Sequence, residues 1–497
     1  METCCEVCKK VKTSDRYDIA IIGAGIVGAL LAYELSKTNQ SVVVIEKERD
    51  VALGATKANS GIIHAGYDPR PGTLKAMMNV EGNRMYETLA TELSFGFRRT
   101  GSLAVAISES EIRELEVLFE RGQENRVPGI ELLEAKDALA LETNLTPHLQ
   151  KALHAPTTGI VDPWEAAIAA LESAVDNGVH LRLSAKVVGI EKPETPKAPF
   201  VIRTSKGILN AMAVVNAAGI HTGEISGMVN EGQSEFQMVP KRGQYFVLDK
   251  ATSGLVQRVI YPTPTEKGKG VLVIPTLHGN LLVGPDNVTL SAEDSEAVQT
   301  TTDGLAFVQK QAQRLVPGLP FHLGIANFAG IRADSEESDF ILRASRHHER
   351  LIHAAGIKSP GLSAAPSISK YLAGMLREVL PGWKENPAFV PGRRPRPVLY
   401  NMSSEARATN IRDNPAFGRI VCRCEMVSEA EVIDSIRRSV GATTLNGVKR
   451  RVRPGGGRCQ GGFCAPRIME ILARELGVSE SEILLEKDDS RMVFMRG

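Results

Sequence analysis

The sequence predicts an α/β fold: a doubly wound unit interleaved with an antiparallel α+β unit, then a small, mainly helical, cysteine-rich unit. Three observations predict it. A buried run, Tyr17–Ile22, enters a glycine-spaced turn and continues as an apolar helical pattern. Residues 235–350 alternate apolar and polar side chains in short runs, the period of an antiparallel sheet. Cys422, Cys424, Cys459 and Cys464 all fall beyond residue 420, among short helical patterns. With 497 residues, 43% of them hydrophobic, the chain can support two or three cored domains. The expected division is a cysteine-containing leader over 1–15, a large body of two interleaved units over 16–395, a linker over 396–417 and a C-terminal domain over 418–497.

The first element in order is the glycine turn. Gly23-Ala24-Gly25-Ile26-Val27-Gly28 follows the strand Tyr17–Ile22 and opens a helix over 26–37, with Val27, Leu30, Leu31 and Leu35 on one face. A second buried strand, Ser41–Ile45, ends at Glu46. The spacing has a physical reading. Gly23 permits the tight turn, Gly25 lets backbone approach a pyrophosphate, and Gly28 lets helix and strand pack closely. The phosphates sit at the helix N-terminus, where unpaired N–H groups point outward. Glu46 can accept from ribose hydroxyls and would repel a 2′-phosphate, which argues against NADP. Alone the glycine spacing is weak, but the strand–turn–helix–strand–Glu setting makes a Rossmann-type dinucleotide site specific.

Three further segments suit a large ring system. Lys57–Gly66, which includes Ser60, Gly61 and His64, is rich in small residues after the second strand. Val214–Gly219 is a buried strand ending in Ala217, Ala218 and Gly219. His353–Pro366 reads as strand, glycine loop and helix start, with Gly361 and Leu362 at the turn and Ser363 as a helix cap. That second helix N-terminus can stabilise negative charge on a bound cofactor.

In the middle of the chain, residues 74–93 and 109–123 are amphipathic helix patterns. Asp162-Pro163-Trp164-Glu165 opens a third helix, with Asp162 as cap, Pro163 in the first turn and Glu165 completing a capping box. That helix runs to about Asn177, and Gly178 ends it. Strands Leu181–Leu183 and Lys186–Ile190 follow, and a helix is expected near 303–315.

These four segments, in this order, resemble the glycine oxidase/D-amino-acid oxidase superfamily of FAD enzymes over about residues 16–395. Two branches are similar. Asn59–Gly66, Arg242–Tyr245, Gly284-Pro285-Asp286 and Ala329–Arg332 resemble motifs of L-2-hydroxyglutarate dehydrogenases. The C-terminal cysteine domain resembles that of the anaerobic FAD-dependent glycerol-3-phosphate dehydrogenases. The resemblance implies FAD as cofactor, with Val187 on the adenine side. It implies that Arg332 binds the substrate's anion, whereas a plain surface arginine is the alternative. A guanidinium fork suits carboxylate or phosphate. Lys358 resembles a lysine of the glycerol-phosphate enzymes, although a solvated loop lysine is the other reading. His64, in the expected flavin-facing loop, is the candidate base, with a structural histidine as the alternative. Gln244 falls where aerobic glycerol-3-phosphate dehydrogenases carry a histidine, so that part of their mechanism does not transfer.

The C-terminal pattern is C-x-C, 34 residues, C-x4-C. Ser428-Glu429-Ala430-Glu431 caps a helix to about Ser439, and Pro466 begins another that Gly477 ends. Four thiolates can hold zinc or a 2Fe–2S cluster. Structural zinc more often uses C-x2-C pairs, and this spacing resembles the bacterioferritin-associated ferredoxin-like 2Fe–2S domain. Cys422, Cys424, Cys459 and Cys464 are therefore the expected ligands. Cys4, Cys5 and Cys8 form a separate group on the leader, read as a mobile tail or an incomplete metal site.

Net charge is +1, so no global field favours nucleic acid or anionic lipid. No run of about 20 apolar residues occurs to span a bilayer. The expected setting is cytoplasmic, with peripheral membrane association through partners left open, as is oligomerisation. The expected activity is oxidation of a small anionic secondary alcohol by an FAD-dependent dehydrogenase, first sn-glycerol 3-phosphate, with electrons leaving through a 2Fe–2S cluster to a protein subunit or quinone-linked partner. The alternatives are a 2-hydroxy acid such as L-2-hydroxyglutarate, or a non-catalytic electron-transfer subunit.

Overall fold

A computed structural model describes residues 15–264 and 270–493. Cys4, Cys5 and Cys8 lie outside the described residues.

The strand Asp15–Ile22 is central to the first sheet. Its apolar, β-branched residues are buried on both faces, the pattern of a parallel strand covered by helices on either side. It pairs in parallel with Val42–Ile45 on one side and Gly207–Asn216 on the other. His180–Arg182 extends the sheet beyond Val42–Ile45, again in parallel. The long strand Gly207–Asn216 is divided between two partners. Its first half pairs antiparallel with Phe200–Thr204, and its last residues pair in parallel with His348–Ala355. This sheet is thus assembled from distant stretches of chain, which is the interleaving expected of the sequence. Helices Ile26–Ser36, Leu74–Leu93, Pro163–Asp176 and Gly361–Val379 pack on one another over the sheet and close the largest core.

The second sheet is mostly antiparallel. Met238–Leu248 pairs along its length with Gly324–Ser335, placing Lys241 opposite Arg332 and Tyr245 opposite Phe328. Leu281–Gly284, Leu272–Pro275, Val259–Pro262 and Ser102–Ala106 continue it. Helices Glu109–Glu124 and Thr302–Leu315 match the amphipathic patterns, and each is capped by its preceding residue, Ser108 and Thr301.

The helix at Pro163 forms as expected, but its capping box does not. Asp162 makes no side-chain cap. Its carboxylate instead pairs with His278 at 2.6 Å, and Glu165 pairs with Arg393 and Arg396. Charged partners outbid the cap because a buried carboxylate gains more from a cation than from one amide. The segment expected to be only a turn-rich linker also carries helix Ser404–Asp413, capped by Ser403.

The C-terminal domain has its own core of Val432, Val448, Ile468, Ile471 and Leu472. Ser428 and Glu431 form the expected capping box, and Gly477 ends the last helix, Ala465–Leu476. A helix at Leu445–Val452 was not expected. Its arginines fasten the domain to the first one. Arg451 and Arg450 both reach the Asp50 carboxylate, with contacts of 2.8–2.9 Å. Asp50 and Arg451 are almost wholly buried, and the two guanidinium groups hold the Asp50 carboxyl well below the usual carboxylate range. A depressed carboxylate stabilises the docked state above its ordinary value, and that contribution is lost as pH falls toward the lowered one. Asp50→Ala leaves the buried Arg451 without its carboxylate, while Arg450 keeps Glu486, at a cost of about 3–5 kcal/mol. We expect earlier proteolytic release of the C-terminal domain in that variant, read by timed digestion. Unchanged digestion would show that the pair does not hold the domain.

Candidate active site and cysteine centre

A single cavity of about 1730 Å³ runs between the two sheets and under the C-terminal domain. Ordinary small-molecule pockets hold roughly 300–1,000 Å³, so this one has room for an extended dinucleotide and a substrate.

The glycine turn forms one end. Gly23 has φ +108°, and a Cβ there would lie 2.5 Å from the Ala217 carbonyl oxygen. A Cβ on Gly28 would lie 2.0 Å from the Gly23 carbonyl oxygen. Gly23 and Gly25 line the cavity, whereas Ala24 is buried behind it. The Ala24 amide donates to Glu46 Oε2 at 2.8 Å, and Glu48 donates to Oε1 at 2.9 Å. Burial pushes the Glu46 carboxyl up, while these two amides favour its anion. Thr56 Oγ1 accepts from Ile26 N–H at 3.0 Å and ties the following loop to the helix start. Val187, Ala218 and Gly219 line the same end. The turn therefore admits only glycine at 23 and 28, and the Glu46 carboxylate stands beside it at the end of the next strand. These residues fit FAD.

The two loops expected to face the flavin, Lys57–Gly66 and His353–Pro366, meet at the other end. Ser60, His64, Gly361 and Leu362 line the cavity. Gly61 stands just behind, with φ +67° and its α-carbon against the Val161 carbonyl. Ser363 corrects the sequence reading. It does not cap its helix, whose N-cap is Pro360, with no side-chain cap. Its buried hydroxyl accepts from the His64 amide at 2.7 Å. The His64 carbonyl accepts from Asn79 and Asn83, so the backbone of this loop is held from three sides. The imidazole lies between Tyr261 and Ser359: Nδ1 is 3.0 Å from the Tyr261 hydroxyl and Nε2 is 3.3 Å from the Ser359 hydroxyl. Burial raises Tyr261 well above an ordinary tyrosine, so its hydroxyl stays neutral.

Across the cavity stand three cations. Arg332 donates to the Asn287 side chain at 2.8 Å and to the Asp286 carbonyl at 3.0 Å. Lys241, directly opposite in the sheet, and Lys358, on the second flavin loop, both reach Asp334 Oδ2, at 2.8 and 2.7 Å. The two ammonium groups hold the Asp334 carboxyl below its ordinary value. Lys241 and Lys358 thus share one carboxylate while Arg332 is held by Asn287 and the Asp286 carbonyl, and like charges opposite one another in a sheet, as Lys241 and Arg332 are, are unfavourable unless an anion joins them. Gln244 is wholly buried and turned away, bonded to Asp286 and Thr301.

Lys241, Tyr245, Tyr261, Ser359 and Asp334 were missed from the sequence. Strand alternation carried a signal for three of them. Tyr245, in the Arg242–Tyr245 motif, shares a face with Lys241 and not with Arg242 or Gln244, and Asp334, two residues beyond Arg332 on the strand Gly324–Ser335, shares a face with Arg332. Tyr261 and Ser359 come from separate elements and gave no such signal.

The cysteines come together in the C-terminal domain. Cys422 ends the strand Ile420–Cys422, Cys464 precedes helix Ala465–Leu476, and both are buried. Cys424 is exposed, and its sulfur lies 3.7 Å from that of Cys459. A hydrogen bond from Cys464, with the amides of Gly455, Glu425 and Cys424, pulls the Cys422 thiol down to about 6. The amides of Gly461 and Phe463 point at Cys459 and lower it also. A Cβ on Gly457 would lie 2.4 Å from the Cys424 Cβ, so that turn admits only glycine. Two close pairs of thiols, Cys424 with Cys459 and Cys422 with Cys464, are donors of the kind that fit a 2Fe–2S cluster. The same domain borders the flavin cavity: Lys449, Arg450, Arg453, Gly456 and Gln460 line it.

Fold and site together define a flavin-dependent oxidoreductase with an iron–sulfur domain fused to its C-terminus. The chain belongs to the FAD dependent oxidoreductase family, whose model matches residues 18–375, and the BFD-like [2Fe-2S] binding domain matches residues 420–474. It binds FAD and a 2Fe–2S cluster. It is 46% identical to a glycerol 3-phosphate dehydrogenase of Caloramator mitchellensis, over 97% of this chain and 98% of that one. It is 27% identical to the human mitochondrial L-2-hydroxyglutarate dehydrogenase, over 74% of this chain and 90% of that one. Among solved structures it resembles the FAD-bound L-alpha-glycerophosphate oxidase of Mycoplasma pneumoniae, with TM-score 0.72 and 30% identity, covering 77% of this chain and all of that one. Among the described residues no helix is long and apolar enough to cross a membrane.

Proposed function

We propose that this protein oxidises sn-glycerol 3-phosphate to dihydroxyacetone phosphate and passes the electrons to a separate acceptor. The observation that carries the substrate is the set of three cations that line one part of the cavity, Lys241 and Lys358 on the Asp334 carboxylate and Arg332 on Asn287 and the Asp286 carbonyl. Its surplus of positive charge complements a phosphate that carries about −1.5 to −2 at neutral pH. The full-length relative named as a glycerol 3-phosphate dehydrogenase supports the same reading. A dicarboxylate would also meet this group, and a relative is named as an L-2-hydroxyglutarate dehydrogenase, which makes that acid the second reading.

When bound, FAD supplies a hydride acceptor and the 2Fe–2S cluster supplies one-electron transfer toward a partner. The remaining work falls to the chain. The cations fix the substrate's anionic end and so orient the hydroxyl-bearing carbon. His64 takes the hydroxyl proton at Nε2. For that, Nδ1 carries the hydrogen and donates to the neutral Tyr261 hydroxyl, which leaves the Nε2 lone pair facing Ser359 and the cavity. The same contact steadies the ring once it is protonated.

Anaerobic titration with a substrate panel tests the proposal. Glycerol 3-phosphate should bleach the flavin absorbance, and bleaching by L-2-hydroxyglutarate in its place would overturn the first reading. Arg332→Lys keeps the charge and loses the fork, so we expect KM to rise about 10–100-fold, roughly 1.4–2.7 kcal/mol, with a smaller change in kcat. An unaltered KM would remove Arg332 from the anion site. Cys459→Ser should lose iron, labile sulfide and the cluster's electron paramagnetic resonance signal while substrate still bleaches the flavin. Zinc in place of iron in the native protein would refute the cluster.

A further inference from the structure

The cysteine centre has two unlike sides. Cys422 and Cys464 are buried against the domain core, while Cys424 is exposed and Cys459 half-buried. The loop that joins Cys459 to Cys464 carries Phe463, whose side chain is 89% exposed. With so little of it covered, the ring lies outside the core of the domain. Met426, 42% exposed, stands in the neighbouring cysteine turn.

Arginines adjoin the cysteine turns in sequence. Arg423 is exposed and lies between Cys422 and Cys424 in sequence. Arg458 adjoins Cys459 and rests on Asp249 with most of its guanidinium in solvent. Arg467, four residues beyond Phe463, shares Glu429 with Arg419 and Arg474. The Glu429 side chain is only 2% exposed, whereas all three arginines are about half exposed, so the rim presents positive charge. Glu470, paired with Arg467, is the exposed acid that opposes it. On its other side the same loop, through Gly456 and Gln460, borders the flavin cavity. The centre therefore reaches from the cavity to the surface.

We propose that Phe463, with Arg423, Arg458 and Arg467 around it, is the docking face for a small acidic one-electron carrier protein. The proposal rests on the reading of the chain as a dehydrogenase with a separate acceptor. Each alcohol oxidised to a ketone releases two electrons and two protons, so two carrier molecules are reduced per turnover and the protons go to water. A small apolar centre inside a charged rim is what brief redox encounters use: little buried area, fast association by charge, and fast release. Charge complementarity selects the acidic partner, because an acidic face meets this rim and a basic one is repelled.

The test uses the holoenzyme at equal flavin and iron content with two model carriers, acidic plant plastocyanin and basic cytochrome c. Binding to immobilised enzyme is measured at low and high salt. We expect plastocyanin to bind the native protein at low salt, to weaken about tenfold or more in high salt, and to weaken about as much in Phe463→Asp and in Arg423→Glu. Cytochrome c should bind the native protein less well and Arg423→Glu better. Absence of plastocyanin binding to the native protein, or binding unchanged in both variants, overturns the proposal. Anaerobic bleaching by glycerol 3-phosphate is read on the same samples. Its failure in the native protein would refute the substrate and leave the docking result standing.

Discussion

Gly28→Val should yield a protein that folds its C-terminal domain but does not retain FAD. The Cβ of any larger residue at 28 would stand 2.0 Å from the Gly23 carbonyl oxygen, well inside contact distance. That oxygen belongs to the turn itself, and Gly23 has no room to yield because its own α-carbon is against the Ala217 carbonyl. The helix Ile26–Ser36 must therefore move off the strand Asp15–Ile22, which carries the amides of its first turn away from the pyrophosphate. Overpacking of this kind costs about 1–3 kcal/mol or more. If only about 2.7 kcal/mol of it falls on the bound state, FAD affinity drops about a hundredfold. The flavin-to-protein absorbance ratio after purification measures this. Full flavin occupancy in Gly28→Val would mean that the turn is not where the cofactor binds. Iron content should be little changed, since the cysteine domain has a separate core.

His64→Asn should keep the flavin and lose its reduction by substrate. Asparagine can still meet Tyr261 but has no lone pair able to take a proton at neutral pH. Loss of a general base typically costs about 10²–10⁴ in rate. Stopped-flow absorbance under anaerobic conditions reads the reductive step directly. Glycerol 3-phosphate affinity should change little, because the anion site of Arg332, Lys241 and Lys358 lies on other elements. A reduction rate within about threefold of the native protein would return His64 to a purely structural role, held by Ser363, Asn79 and Asn83. Tyr261→Phe separates the two functions further. It removes the partner of Nδ1 while leaving the imidazole, so a smaller loss of about tenfold, close to 1.4 kcal/mol, is expected.

Glycine spacing and cysteine spacing were legible because they are local. A turn that admits only glycine, an acid at the end of the next strand, and thiols on either side of a capped short helix are all written within a few tens of residues. The helix over 74–93, the one ending at Gly178 and the capping box at Ser428 were legible for the same reason: period and caps are properties of neighbouring residues. The capping box at Asp162 was not, although its residues are correct. Whether a carboxylate caps its own helix depends on which cations approach it, and His278, Arg393 and Arg396 arrive from far along the chain. Ser363 shows the same limit. Its sequence position suits a cap, but the loop carrying His64 packs against it and takes the hydroxyl.

By itself the sequence determined a dinucleotide-binding turn and a set of four spaced cysteines, which resemblance to known families assigned to FAD and a 2Fe–2S cluster, because backbone shape and metal ligation require particular residues at fixed local intervals. Only the tertiary structure decided how charge is arranged around them. The pairing of Met238–Leu248 with Gly324–Ser335 sets Lys241 opposite Arg332, and Asp334 then draws Lys358 to the same place. The contact of Arg450 and Arg451 with Asp50 seats the cysteine domain over the flavin cavity. Coulomb interactions and burial act through space between residues hundreds of positions apart, so no local pattern in the chain records them.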